Sequence, residues 1–422
     1  MKKSLTQKAI EKYFNFLVNL RKERSMEREV LRADEIFKDV ITKDAYSFMR
    51  TTFFRLKTFE SWRGRVNCSI KFYKEEKEAL NAMVFCFLLI QEQQRNGLKI
   101  NWDSCIAYLI VRLMRKSLTW DMKPEYKEEL QGRVENFDKK VEKYVCNKVK
   151  KSVSSAFYDN LYMLASDISL QEEHLYLVAK CYTNKVEYNF IEESIWHASK
   201  DKCKAEIEAE CESVGVRNYI SSDLRRLVSY ISSARNSIRW QGCGSTIDCN
   251  ILCHMLETAV LAWFMAIEDC QNTTSGNFSP AQAFLVGLYH DIPEIWTDDI
   301  PSSCKNEIGE ADQNIRPATE EIEREVLQKN FYPVFSKSVG EYLRKNVMLE
   351  SIDNPSLHKF IKKADYLSAD FECYWMILQG SENTLFFDIL KRSYKSNNRT
   401  PETKKLLRKM YYMSIFHIHR EP

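Results

Sequence analysis

The chain has 422 residues, with 62 Lys+Arg against 59 Asp+Glu and a net charge of +3, so it lacks the basic excess of a protein that coats nucleic acid. Hydrophobic residues make up 44% and charged residues 29%, which excludes a disordered chain and supplies two cores of ordinary size. Glycine (11) and proline (9) are scarce, which removes the punctuated strand pattern of all-β folds and predicts an all-α protein.

In chain order, Ile10, Phe14, Leu17 and Leu20 recur at helical spacing, so residues 1–39 read as a helical extension. Lys2, Lys3, Lys8, Glu11 and Lys12 interrupt its apolar groups, which rules against a signal-peptide core. The longest apolar runs, Ala82–Ile90 and Ala259–Ile267, span 9 residues each, short of the ~20 needed to cross a bilayer. Thirteen cysteines without a CxxC pair read as reduced thiols, and the chain as a cytoplasmic protein with no membrane partner. Breaks are expected at Asn96-Gly97, 271–280, 300–303 and 396–401. The charged, then Ser/Gly/Asn-rich stretch 201–222 reads as a linker between a first domain, 40–200, and a second, 223–422.

The two halves share apolar phase in three collinear windows. Residues 77–96 match 254–272 at an offset of 177, 104–114 match 279–289 at 175, and 165–194 match 364–393 at 199, with Glu173 opposite Glu372. Collinear order favours a duplicated domain over two bundles aligned only by their stripes, and predicts two tandem helical bundles.

The chemistry-bearing residues lie in the second half. His254 opens one helix and His290-Asp291 closes the next, and the polar loop between them makes a hairpin that brings both histidines to one mouth. Imidazole nitrogen and carboxylate oxygen converging from separate helices suit a first-row divalent ion. Asp365 lies among the apolar positions of a later helix, where an unpaired carboxylate is costly and a metal removes the cost. Pro293 bends the chain after the HD pair and carries Glu294 beside the site, followed by the acidic loop Asp298, Asp299 and Pro301.

His254, His290-Asp291 and Asp365 in this order resemble the H...HD...D signature of the HD-domain metal-dependent phosphohydrolases. HDxxE (His290, Asp291, Glu294), followed by Asp299-Ile300-Pro301, with Arg239-Trp240 upstream of His254, is similar to the 5'-deoxynucleotidase branch over residues 225–395. Cys253 departs from that pattern, which usually has Glu before the first histidine. The resemblance implies two tandem HD-type bundles and one divalent metal ion (Mn, Co, Mg, Fe or Zn) held by His254, His290, Asp291 and Asp365. It implies Glu294, Asp299 and Arg239 as catalytic residues, with Glu294 moving a proton, and Arg239, Trp240 and Asp299 as contacts to a small nucleotide substrate.

The expected activity is release of phosphate from a (deoxy)nucleoside monophosphate. A cyclic-nucleotide or oligonucleotide phosphodiesterase, a dNTP triphosphohydrolase and a non-catalytic nucleotide-sensing scaffold stand as alternatives. In the first half the aligned positions carry Lys77, Arg115-Lys116, Thr119 and Ser166, so no ligand set survives there. A degenerate first copy standing in for a second subunit predicts a pseudo-dimeric monomer, with a homo-oligomer as the other outcome.

Overall fold

Helical periodicity is carried through into structure almost everywhere. The computed structural model describes residues 33, 37, 39–62, 70–119, 124–195, 199–240, 243, 245, 248–272, 278–297, 312, 314–381, 383–396 and 399–418. The opening extension therefore lies outside the described residues, apart from Ala33, Phe37 and Asp39. After a π-turn at Ile41–Ala45 the first half runs α1 (Tyr46–Thr51), α2 (Phe53–Thr58), β1 (Glu60–Ser61), β2 (Phe72–Tyr73), α3 (Lys74–Asn96) and α4 (Trp102–Leu118). It continues through α5 (Pro124–Arg133), α6 (Phe137–Ser152), α7 (Ser155–Ala165) and α8 (Leu170–Ile191). The stretch read as a linker is helical, with α9 (Ser199–Ser213) and α10 (Val216–Tyr219) meeting at Gly215, whose φ of 66° is open to glycine at no steric cost.

The second half runs α11 (Ser222–Ser233), β3 (Ile238–Arg239), β4 (Cys249–Asn250), α12 (Ile251–Asn272), α13 (Pro280–Tyr289) and α14 (Glu294–Thr297). Then follow α15 (Ile315–Val326), α16 (Lys337–Asn346), α17 (Pro355–Leu378), α18 (Thr384–Lys395) and α19 (Pro401–Ile418). The described sheet consists of two antiparallel two-residue ladders, β1 on β2 and β3 on β4. The protein is all-α in class.

Helix starts follow their capping chemistry. Ser279 Oγ accepts from the Gln282 N–H with Pro280 in the first turn of α13, and Asn354 does the same for α17 before Pro355. Ser169 and Glu172 cap α8 reciprocally. Residues Ile251–Cys270 are long and apolar enough to cross a bilayer, with a mean hydropathy of 1.5, but that window is wholly buried. α12 packs on α13, α17 and α3, so its apolar length is spent inside the fold.

Helices of the two halves pack directly on each other in one contiguous core. Phe48 meets Phe264 edge-on at 5.3 Å, Phe87 lies 4.7 Å from Tyr289 and Phe54 5.0 Å from Trp375. Tyr289 Oη donates to the Met83 carbonyl at 2.7 Å, which gives its fully buried hydroxyl a partner.

The halves also repeat a local arrangement. Each has a short helical segment, a two-residue ladder and then a long helix, α2–β1–β2–α3 and α11–β3–β4–α12. The residue after the first strand is a tryptophan with positive φ in both, Trp62 at 71° and Trp240 at 63°, a strained conformation for so bulky a side chain. Trp62 Nε1 donates to Glu187 Oε2 at 2.7 Å, and Trp240 Nε1 donates to Glu372 Oε2 at 2.7 Å. By its hydrogen bond Glu187 of α8 stands to Trp62 as Glu372 does to Trp240, an offset of 185, whereas the apolar windows place Glu173 opposite Glu372 at 199. The slip of 14 residues is close to four helical turns, so it preserves the apolar phase by which the sequence windows were aligned. In this register Asp365 stands opposite Lys180 rather than Ser166.

Candidate metal centre

The expected hairpin forms. α12 starts at Ile251, putting His254 in its first turn, and α13 ends at Tyr289, putting His290 at its C-cap. Gly287 lets the two helices close, because a Cβ there would lie 2.9 Å from the Ala259 Cα. The imidazole centroids are 5.3 Å apart, and ligand atoms of His254, His290 and Asp291 all lie within 4.8 Å of one another. Asp365, from α17, joins them with Oδ1 3.0 Å from His254 Nε2 and 3.9 Å from His290 Nε2.

Hydrogen bonds orient both imidazoles. His290 Nδ1 donates to the Gly287 carbonyl at 2.8 Å, which turns Nε2 toward the cluster. That Nε2 is buried, makes no hydrogen bond and lies 3.1 Å from Asp291 Oδ2. Two imidazole nitrogens and two carboxylates converging in a buried site supply the donors a divalent cation takes, and the set therefore fits a divalent metal. His254 turns Nε2 toward Asp365 and Asp291 (3.0 and 3.7 Å) and Nδ1 toward Glu372 Oε1 at 3.2 Å. A carboxylate behind a histidine, opposite the ligand nitrogen, fixes the ring and its tautomer.

Glu372 organises the rest of the site. It accepts from Arg239 Nε at 3.3 Å and from Trp240 Nε1 at 2.7 Å besides facing His254. Burial would push its carboxyl up, but Arg239 and His254 hold it well below the ordinary carboxylate range. Burial and the Arg239 charge depress the His254 imidazole, and Glu372 with Asp365 outweigh them to raise it to about 10. Burial likewise opposes ionisation of Asp291 and Asp365, yet the histidines, with Lys362 beside Asp365, hold both low. Sequence reading missed Glu372 as a functional residue, although it stands seven residues, two turns, beyond Asp365 on the same helix face.

The remaining expected residues divide. Arg239 sits in β3 with Nη1 4.0 Å from Asp291 Oδ2, on the metal side. Trp240 is half-buried, its indole N–H committed to Glu372 and its ring edge-on to Phe386 at 5.8 Å. Glu294 opens α14 and is half-buried, its N–H bonded to the Asp291 carbonyl. Asp298, Asp299 and Pro301 lie outside the described residues. Lys362, which the sequence did not single out, places Nζ 3.1 Å from Asp365 Oδ2 at the rim, half-exposed. The charges of Asp365, Asp291 and Glu294 all act to raise its pKa.

Two imidazoles and two carboxylates gathered from α12, the end of α13 and α17, beside Arg239, make a buried site able to hold a divalent ion. Residues 226–414 match the family model described as 5'-deoxynucleotidase YfbR-like. The chain is also similar to a 5'-deoxynucleotidase of Vibrio atlanticus (strain LGP32), 24% identical over 181 residues that cover 42% of this chain and 85% of that protein. No solved structure matches. The family match falls on the half that carries the cluster.

Proposed function

We propose that the second half of the chain is a metal-dependent phosphohydrolase that releases phosphate from (deoxy)nucleoside 5'-monophosphates. The observation that carries this reading is the convergence of His254, His290, Asp291 and Asp365 at one helical mouth, with His290 Nε2 buried and unbonded. These four residues would hold one divalent ion, which when bound lowers the pKa of water and polarises a phosphoryl oxygen. Glu294, at the same mouth, moves the proton between water and the leaving oxygen. Arg239, held through Nε by Glu372, binds phosphate oxygens in a planar, charge-assisted geometry. Trp240, its N–H already committed, offers only its ring to the sugar or base. Asp299 belongs to the leaving-oxygen or sugar side on sequence grounds.

The first half is proposed to be a degenerate copy without a metal. The matched Trp62–Glu187 and Trp240–Glu372 pairs support common descent, and Lys77, which stands where His254 does, lies 3.5 Å from Glu187 as His254 faces Glu372. Lys116, in the HD position, is salt-bridged to Glu78, so the cations there are matched by internal partners. The buried thiols of Cys86, Cys105, Cys249, Cys253 and Cys373 support a reducing, cytoplasmic setting. The test is phosphate release from mono-, tri- and cyclic nucleotides with and without Mn2+ or Co2+. Release from deoxynucleoside monophosphates only with metal is the expected result, and Asp291→Ala should lose both metal and turnover. Unchanged metal content in Asp291→Ala would remove the site.

A further inference from the structure

A line of buried polar groups that the proposed chemistry does not use runs from the metal centre into the other half of the chain. It starts at His254 Nδ1, the ring nitrogen that faces away from Asp365, where Ser368 Oγ lies 3.3 Å away. Ser368 Oγ donates to Glu257 Oε2 at 3.4 Å. Glu257 Oε1 is 3.2 Å from Lys57 Nζ, and the same ammonium is 3.3 Å from Glu75 Oε2. The Lys57 side chain is 1% exposed and both carboxylates are 0% exposed. Lys57 comes from α2 and Glu75 from α3 of the first half, whereas Glu257, Ser368 and His254 belong to the second.

Ion pairs this deeply buried need a reason beyond stability, since an apolar trio of similar volume would fill the space without desolvating charge. Their geometry supplies one. Glu257 has one oxygen on Ser368 and the other on Lys57, so its position is set by a cation from the opposite half. Ser368 and Glu372 together fix the Nδ1 edge of His254, and with it the direction of Nε2.

We propose that Lys57 is a positioning residue for the metal centre, pinning Glu257 and, through Ser368, the His254 ring, so that the first half completes the site of the second. This rests on the metal-centre reading above. The experiment is a double-mutant cycle on the full chain, Lys57→Met, Glu257→Gln and both together, read by Co2+ affinity and by the ligand-field spectrum of bound Co2+. Each single substitution should weaken Co2+ binding by about tenfold to a hundredfold and alter the spectrum, as loss of a group behind a ligand does. The double variant should bind no more weakly than Glu257→Gln alone, because both residues act along one line.

Where Lys57→Met does not fold, the double variant, which carries neither member of the pair as a charge, is compared with Glu257→Gln. Wild-type Co2+ affinity and spectrum in Glu257→Gln or in the double variant would overturn the proposal, as would simple additivity of the two single effects. A wild-type chain that takes up no Co2+ defeats the metal-centre reading itself, an outcome distinct from these.

Discussion

At the residue scale, the chemistry depends on which groups touch the metal and which only face the mouth. Glu294 is half-buried at the start of α14, one turn beyond Asp291, and the proposed function gives it proton transfer rather than ligation. Glu294→Ala should therefore keep its metal, measured by elemental analysis, and lose about 10²-fold or more in kcat. Full kcat in that variant would make Glu294 a structural group. Asp370 carries a different kind of prediction. Its side chain is buried, Arg399 Nη2 lies 2.5 Å away and Ser393 donates to it at 2.6 Å, yet burial outweighs the Arg399 charge and raises its carboxyl to about 7.

A carboxyl raised in this way binds its proton more tightly in the folded state. Its contribution to stability is complete below the unfolded value near 4 and is lost as pH rises through about 7. Denaturant unfolding of the wild-type chain between pH 5 and 8 should show this decline, on the order of a few kcal/mol, and Asp370→Asn should flatten it.

At the element scale, one close approach decides the site. α13 lies against α12 because Gly287 has no side chain, and its position is what brings His290 within 5.3 Å of His254. In the first half the aligned residue is Arg112, whose guanidinium lies over the Tyr108 ring at 4.8 Å, and α4 packs mainly on α7 rather than on α3. The hairpin that makes a metal mouth in one half is thus replaced by a filled, polar contact in the other. Gly287→Ala should cost about 1–3 kcal/mol by overpacking, and because the added methyl meets backbone it should also push His290 away. Unfolding by denaturant and Co2+ titration of the same variant measure both effects, and unchanged metal affinity would separate hairpin closeness from ligand geometry.

At the scale of the whole molecule, the two halves share apolar surface along α3, α12 and α17 and exchange buried polar contacts. Asn250 Nδ2 donates to Glu76 Oε1 at 2.9 Å, Tyr46 and Tyr374 share a hydrogen bond of 2.8 Å, and Lys57 reaches Glu257. If the first half is the degenerate copy proposed above, covalent tethering holds it at an effective concentration in the millimolar range for a short linker, enough to keep such an interface closed. Residues 220–422 expressed alone would expose this face, including Phe264, Tyr289 and Trp375. They should dimerise, aggregate or lose activity in light scattering and turnover assays. A stable and fully active monomeric fragment would show the first half to be dispensable.

Sequence alone determined the helical class, through scarce glycine and a 3.6-residue apolar period, and it singled out the candidate ligands His254, His290-Asp291 and Asp365, which the structure brings together at one mouth because they stand at turns and faces that chain-local geometry can place. It also determined that the first half lacks a ligand set, whichever register is used. Two things were decided only by tertiary structure. The pairing of α8 with α17 was one, because a slip of four turns leaves the apolar phase unchanged, and only the Trp62–Glu187 and Trp240–Glu372 hydrogen bonds select the offset of 185. The support behind the ligands was the other: Glu372, Ser368, Glu257 and Lys57 carry no motif. Their roles arise from which buried charges face one another once helices nearly two hundred residues apart have packed, and the cost of burying an unpaired charge then fixes those contacts.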